Sequence, residues 1–291
     1  MDKFKNIDIS DREWVNKILK DSYCPSLEYN FTTLFIWSDI YYTQVRECEG
    51  CLLVRYGKER KSYLFPIGKN VEKALLWLVQ NCDDLQLVGL VRENKELLES
   101  LYPGKFEYCE DRNMSDYIYK TESLMTLSGK KLSSKRNHIN RFVENHADWS
   151  YEPISGGNFE IVDKMHDEWM EINNCSDKHG LTEEGCAVKK ALKYFNELEL
   201  SGGLLKIGKK AIAFSIGDEL NKDTFIVHIE KAYADIQGAY PMINKQFVIH
   251  NCENYEFVDR EEDTGDEGLR KAKLSYNPYI ILEKYRARKI K

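Results

Sequence analysis

Apolar positions along the chain follow two periods, and the order in which those periods appear is the same in both halves. In the first half, helical spacing runs over about 11–21 and 30–39, and alternating runs near 41–47, 51–56 and 62–66 predict strands. VEKALLWLVQN then reads as a helix, LQLVGLV as a strand, RENKELLESLY as a helix and FEYCE as a strand. In the second half, helices are predicted near 133–146, 158–173 and 183–199. They are followed by the hairpin GLLKIGKKAIAFSIGDEL, with its turn at Gly208-Lys209, and by a third strand, DTFIVHIE. A helix near 240–251, the strand YEFVD, a helix near 265–274 and the strand PYIILEKYR complete the chain. Both halves read helices, three-strand meander, helix, strand, helix, strand, which predicts an α+β protein made of two copies of one domain type. The division is expected near residue 121, giving domains 1–120 and 121–291. No Pro/Gly/Ser-rich linker marks it, so close packing about a shared cleft is expected.

With 291 residues, 42% of them apolar, the chain can bury two cores, and disorder is excluded. A net charge of -6 argues against coating nucleic acid or an anionic membrane by bulk charge, so a phosphate-bearing partner must meet a local basic patch. The start, MDKFKNIDISDREW, has no apolar targeting segment, and no run is long enough to span a bilayer. A cytoplasmic protein without an integral membrane segment is expected. The eight Cys at irregular spacings suit reduced thiols. Cys48-Glu49-Gly50-Cys51 lies between two strand-like runs and is expected to be a hairpin turn rather than a zinc or redox pair. Glu261, Glu262 and Asp263 miss the spacing of a calcium loop, and no metal site is expected.

A local basic patch does occur, in SGKKLSSKRNHINRFVENH. Ser133 or Ser134 suits a helix N-cap, and Ile139, Phe142, Val143 and His146 share one face, the expected buried stripe. Lys135 and Arg136 fall in the first turn, where a cation opposes the helix dipole at about 0.3–1 kcal/mol each. His138 and Arg141 lie on the outer arc. Free N–H groups beside cations suit a phosphate or carboxylate, so Lys135, Arg136, His138 and Arg141 are candidate substrate-binding residues, the alternative being a solvated basic face.

The strand DTFIVHIEKA alternates, with Phe225, Val227 and Ile229 on one face and Thr224, Ile226, His228 and Glu230 on the other. His228 and Glu230 are thus neighbours about 7 Å apart. A His and a carboxylate so placed can deprotonate or orient an attacking amine, which makes Glu230 and His228 the candidate catalytic residues, with a structural pair as the alternative. Arg260 ends the next strand-like run, where its side chain can reach an opening. Thr264 and Glu267 form a capping box for a short helix. Arg270 and Lys273 on that helix, and Tyr276 just beyond it, join Arg260 in the expected substrate-binding set.

The order of elements is similar to that of the GNAT acyltransferase fold. In that fold, the loop after the central strand and the following helix start hold a pyrophosphate through backbone N–H groups, with an Arg/Gln-x-x-Gly-x-Gly/Ala signature. Here Gly238 fits and is the cofactor-binding candidate, whereas Asp235 and Tyr240 occupy positions the signature gives to a cation or glutamine and to a small residue. Poor coenzyme A binding is the expectation.

The strings KRNHINRF (135–142), HIEKA (228–232) and REEDTGDEGLRKAKLSYNP (260–278) closely resemble a bacterial family grouped with the soluble C-terminal domain of phosphatidylglycerol lysyltransferases. That resemblance implies two tandem GNAT-like domains, related to the Fem enzymes, with the active site in the second. It also implies acyl transfer, above all aminoacyl transfer from an activated donor to an amine or hydroxyl. Aminoacyl-tRNA would be the co-substrate, its acceptor arm meeting the basic helix. No counterpart of the membrane-embedded flippase domain of the lipid-modifying enzymes is expected, which puts a lipid acceptor in question. Two alternatives stand beside this reading: an N-acyltransferase using acyl-coenzyme A, and a catalytically silent GNAT-like binding module. Arg136, His138, Glu230 and Arg260 are expected to converge on one cleft.

Overall fold

The computed structural model of the chain describes residues 3–173 and 179–290. Its strands are β1 (Lys5–Asn6), β2 (Gln44–Cys48), β3 (Cys51–Tyr56), β4 (Ser62–Leu64), β5 (Ile67–Gly68), β6 (Gln86–Leu90), β7 (Phe106–Glu110) and β8 (Asp116–Lys120). They continue as β9 (Trp149–Pro153), β10 (Ser201–Ile207), β11 (Lys210–Asn221), β12 (Thr224–Ala232), β13 (Phe257–Asp259), β14 (Ile280–Leu282) and β15 (Tyr285–Lys289). The helices are α1 (Arg12–Lys20), α2 (Phe31–Ile36), α3 (Ser38–Tyr41), α4 (Val71–Asn81), α5 (Arg92–Leu101) and α6 (Thr121–Thr126). Then come α7 (Ser133–Asn145), α8 (Phe159–Ile172), α9 (His179–Lys193), α10 (Ala239–Asn251) and α11 (Glu267–Leu274). Two compact units result: Met1–Asp116 with Glu262–Asp266 and Ile281–Lys291, and Tyr117–Glu261 with Glu267–Ile280.

Each unit is built on a mixed sheet flanked by helices, the α+β class expected. The first sheet runs β1-β2-β3-β4-β6-β15-β7 and the second β9-β10-β11-β12-β13-β8-β14. In both, an antiparallel meander feeds a helix, α4 or α10, which carries the chain across to a parallel strand: β6 beside β4, β13 beside β12. The expected hairpins are present. Glu49 and Gly50 both take left-handed φ values, 55° and 75°, as a two-residue turn between paired Cys48 and Cys51 demands. Gly208, at φ 55°, turns β10 into β11.

The slot beyond the parallel strand is filled from elsewhere in the chain. In the first sheet it holds β15, antiparallel to both β6 and β7. In the second it holds β8, antiparallel to β13. A division at 120/121 assigns these two strands the other way round, so the structure departs from the expected domain limits there. The run PYIILEKYR, expected as one strand, splits into β14 and β15 with Glu283 and Lys284 between them.

The split falls where the chain leaves the second sheet, in which β14 lies beside β8, for the first, in which β15 lies beside β6, and the residue at that passage is Lys284. Its Nζ is fully buried and donates to Glu28 Oε2 and Asp116 Oδ1, both at 2.7 Å. Burial acts against the ammonium, but the two carboxylates outweigh it, and the Lys284 pKa is raised far above the ordinary value. Asp116 Oδ2 also accepts from the Leu27 N–H at 3.2 Å, and Ser26 Oγ donates to Glu28. The core of this unit is apolar, with Leu53, Phe65, Leu75, Leu87 and Ala287 among its members. In the second unit Phe142, Phe214, Ile243 and Phe247 are fully buried, each contributing roughly 1.5–3 kcal/mol of transfer free energy. Val143, expected in the buried stripe of α7, is 41% exposed, while Ile139 and Phe142 are buried as expected. Ser133 does not cap α7; its Oγ donates to Lys130 O.

Lys284→Met should lower the unfolding free energy by about 3–5 kcal/mol, because it leaves two carboxylates buried without their cation. Urea denaturation measures this. Adding Glu28→Gln and Asp116→Asn to Lys284→Met should recover most of the loss, and failure to recover would show that the cluster acts through shape rather than charge.

Candidate active site in the second unit

β12 and β13 pair only over Thr224–Ile226 against Phe257–Asp259, while β12 runs on to Ala232, so the two strands part at their C-terminal ends. Glu230 lies on the diverging stretch of β12, and Arg260 immediately follows β13. Arg260 Nη2 donates to Glu230 Oε1 at 2.8 Å, and Asn244 Nδ2, from the buried face of α10, donates to Oε2 at 2.8 Å. The Glu230 and Arg260 side chains are each 11% exposed. The guanidinium lies 4.7 Å from the Tyr276 ring centroid and 5.7 Å from that of Tyr119. Lys135, in the first turn of α7, places Nζ 4.1 Å from the Tyr276 centroid.

Electrostatics divides these groups. Burial opposes the Arg260 charge, but Glu230 and the Tyr119 and Tyr276 hydroxyl groups hold its pKa above even the usual arginine value. Burial raises the Tyr276 phenol, keeping it neutral. The Lys135 pKa is lowered, first by burial and then by the field of Arg260, with Glu230 acting the other way. Two cations therefore share one carboxylate. Two polar atoms of the cluster, Arg260 Nη1 and Asn244 Oδ1, are buried without a hydrogen-bond partner among the described residues. Buried donors and acceptors are nearly always paired, so an N–H donor and an amide oxygen without partners, on two residues that both bind Glu230, suit an incoming polar ligand.

The structure thus brings together Glu230, Arg260, Lys135 and Tyr276 of the expected set. It takes others elsewhere. Arg136 turns back to the C-terminal end of α6, donating to Leu127 O and, at 2.8 Å, to Gly129 O, so its charge caps a helix rather than facing the splay. Arg141 is exposed and Arg270 half-buried on α11. Lys273 Nζ donates to Arg260 O at 2.6 Å, which fixes the backbone that carries Arg260. The His138 side chain is half-buried, and its backbone oxygen abuts Gly238. Gly238, at φ 87°, caps the start of α10, where any Cβ would fall 2.4 Å from His138 O and 2.9 Å from Phe142 Cβ. The helix start expected to cradle a pyrophosphate is therefore packed against α7.

His228 corrects the expected chemistry. It shares its strand face with Glu230, yet its side chain is fully enclosed, with Nε2 2.9 Å from Asp218 Oδ1 and Nδ1 2.9 Å from Glu261 Oε1. Burial alone would lower its pKa, but the two carboxylates reverse this and raise it to about 10. At neutral pH it is an imidazolium, already holding the proton a general base would have to accept. Glu261 is held for this contact in a left-handed conformation, φ 58°, with its N–H donating to Asp259 Oδ1 at 2.7 Å.

Asn244, Tyr119, Asp218 and Glu261 were not foreseen as members of these clusters. Asn244 did leave a signal, a lone amide among Met242, Ile243, Phe247 and Val248 on one buried helix face.

The folded-state pKa of His228 lies above its ordinary 6.5, so the stabilisation it provides is complete below pH 6.5 and is lost as pH rises toward about 10. The difference in unfolding free energy between the wild type and His228→Gln should shrink across that window, by up to about 1.4 kcal/mol per pH unit. Urea titrations at pH 6, 8 and 10 measure it, and a pH-independent difference would rule out the charged imidazole.

Among the described residues no helix is long and apolar enough to cross a membrane. A crystal structure of a conserved protein of unknown function from Bacteroides thetaiotaomicron is 38% identical, covers all of both chains and superposes with a TM-score of 0.95. The C-terminal domain of a protein assigned as a lysylphosphatidylglycerol synthetase from Agrobacterium fabrum shares the fold. It is 13% identical with a TM-score of 0.66, over 97% of this chain and 92% of that one. An uncharacterized protein of Mycoplasmoides gallisepticum is 29% identical over 219 residues, 71% of this chain and 67% of its own length. The sequence pattern of the family described as "Phosphatidylglycerol lysyltransferase, C-terminal" matches residues 23–288, and the chain belongs to that family.

Proposed function

We propose that the second unit is an acyltransferase, with its site where β12 and β13 part, and that the group it moves is an aminoacyl ester carried by a donor of the aminoacyl-tRNA class. The observation that carries the reading is the pair of open, buried polar atoms, Arg260 Nη1 and Asn244 Oδ1, beside a carboxylate fixed by both residues. In this reading the donor's ester carbonyl oxygen accepts from Arg260 Nη1, and that bond strengthens as negative charge develops on the oxygen. The acceptor's N–H or O–H points at Glu230, whose carboxylate retains lone pairs beyond the two already engaged. As the acceptor atom bonds to the acyl carbon, its proton passes to Glu230. As the bond from the acyl carbon to the donor oxygen breaks, the proton passes on to that oxygen, and Glu230 ends ionised as it began. Lys135 supplies positive charge near the donor, and its lowered pKa suits a group that meets an anion in a partly dry site.

An acyl-coenzyme A donor is the second reading. Against it stand the packing of His138 O and Phe142 on the start of α10 and the exposed Asp235 in the loop before it. Calorimetry with acetyl-coenzyme A should give a dissociation constant near millimolar, on the order of 4 kcal/mol of binding; a low-micromolar constant would reverse the order of the two readings.

Transfer of labelled amino acids from a panel of charged tRNAs to small amines and polyols tests the main reading. Glu230→Gln should slow transfer about 10²-fold or more, in line with the usual contribution of a general base. Transfer by Glu230→Gln at the wild-type rate would remove the carboxylate from the chemistry.

A further inference from the structure

The first unit contains a cavity of about 430 Å³, and nothing in the acyl-transfer reading uses it. It lies where β4 and β6 part: the two strands pair only at Tyr63 with Leu87 and Leu64 with Val88, after which β5 turns away to pair with β3. Phe65, Ile67, Val71, Val91 and Leu97 line it, so the walls are apolar, and its size falls within the range of small-molecule sites. The Tyr29 hydroxyl donates to Phe65 O at 2.9 Å and is thereby removed from the lining's polar groups.

The charge among the residues that line this cavity has one sign. Among the described residues no Lys, Arg or His lines it, whereas Glu93 does. Of the cations that neighbour lining residues in sequence, Lys69 stands 3.8 Å from Asp21 and Arg92 3.2 Å from Glu283, while Lys95 lies over the Tyr285 ring, 4.6 Å from its centroid. Glu93, exposed in the first turn of α5, has no hydrogen bond or ion pair among the described residues. Behind the wall, the cluster of Lys284 with Glu28 and Asp116 sets two carboxylates against one cation. Cys24, another lining residue, responds to these surroundings, its thiol pushed up to about 12 mainly by burial, with Glu28 and Asp116 adding to the rise and Lys284 opposing it.

We propose that this cavity is a binding site for a small amphiphilic amine, its hydrocarbon body held between Phe65, Val71 and Leu97 and its ammonium meeting Glu93 at the mouth. An alcohol of the same length fills the apolar part but gains nothing from Glu93. A carboxylate of the same length is repelled. The inference rests on the first unit alone and stands or falls independently of the acyl-transfer reading.

The test is calorimetric titration of the full chain at pH 7.4 with n-hexylamine, 1-hexanol and hexanoate. Hexylamine should bind most tightly, hexanol more weakly and hexanoate least. Lengthening the amine from butyl to hexyl should raise affinity about fourfold per methylene. Glu93→Gln should weaken hexylamine by up to about fivefold and leave hexanol unchanged, as expected for one exposed ion pair. Leu97→Trp, which fills the cavity, should lower both affinities by at least tenfold, and Val71→Trp serves the same purpose if Leu97→Trp shifts the urea midpoint. Hexanoate binding as tightly as hexylamine, hexylamine binding that survives both tryptophan variants, or no binding of any of the three to the wild type would each overturn the proposal.

Discussion

A guanidinium held out of water against one carboxylate is the constraint from which the candidate site follows. Arg260 cannot lose its proton, and at 11% exposure it cannot rely on solvent, so in the resting fold Glu230 must stand close to it. Glu230 is in turn held by Asn244, and the carbonyl of Arg260 by Lys273, so strand β12, helix α10 and helix α11 all contribute to one charge pair. The remaining side of the guanidinium faces aromatic rings rather than a second acid. Nη1 is left open, and a partly dry Lys135 stands nearby with its charge disfavoured. A pair with a purely structural role would be expected to close all of its hydrogen bonds.

The two units share an architecture and differ in what occupies the parting of their parallel strands. In the second, charged and aromatic side chains fill that place. In the first, an apolar cavity does, with the ionic cluster of Lys284, Glu28 and Asp116 set behind its wall. One sheet form can carry such different contents because the parting is made by backbone pairing that stops after two or three residues, whatever the side chains are. Each sheet also takes the strand beyond its parallel pair from a distant part of the chain, so neither is complete in a contiguous segment.

Period and order sufficed for much of this. The alternation of DTFIVHIE placed Glu230 and His228 on one face, and the end of YEFVD placed Arg260 at the parting of the strands. What period cannot express is partnership at long range. His228 looked like a base until Asp218 and Glu261, ten and thirty-three residues away, closed on it from both sides. The cations at the start of α7 looked like an anion site because they oppose that helix's dipole. Arg136 instead serves the C-terminal end of the preceding helix, α6, while Lys135 does turn toward Arg260. Asn244 is a single amide in an apolar helix face, and nothing in the spacing ties it to Glu230, fourteen residues earlier. PYIILEKYR reads as one strand because hydropathy does not reveal that its two halves pair in different sheets, or that Lys284 between them meets carboxylates 168 and 256 residues away.

The most direct test of the account separates the charge pair's structural role from its chemical one. In the double variant Glu230→Gln with Arg260→Met, no buried charge is left unpaired, so stability to urea should return to within about 1.5 kcal/mol of the wild type. Aminoacyl transfer, measured on the same preparation, should stay at least about 10²-fold below the wild type, because both the proton acceptor and the donor to the carbonyl oxygen are gone. A double variant that is stable and transfers at the wild-type rate would contradict the account, since the pair would then hold the fold together and do nothing more.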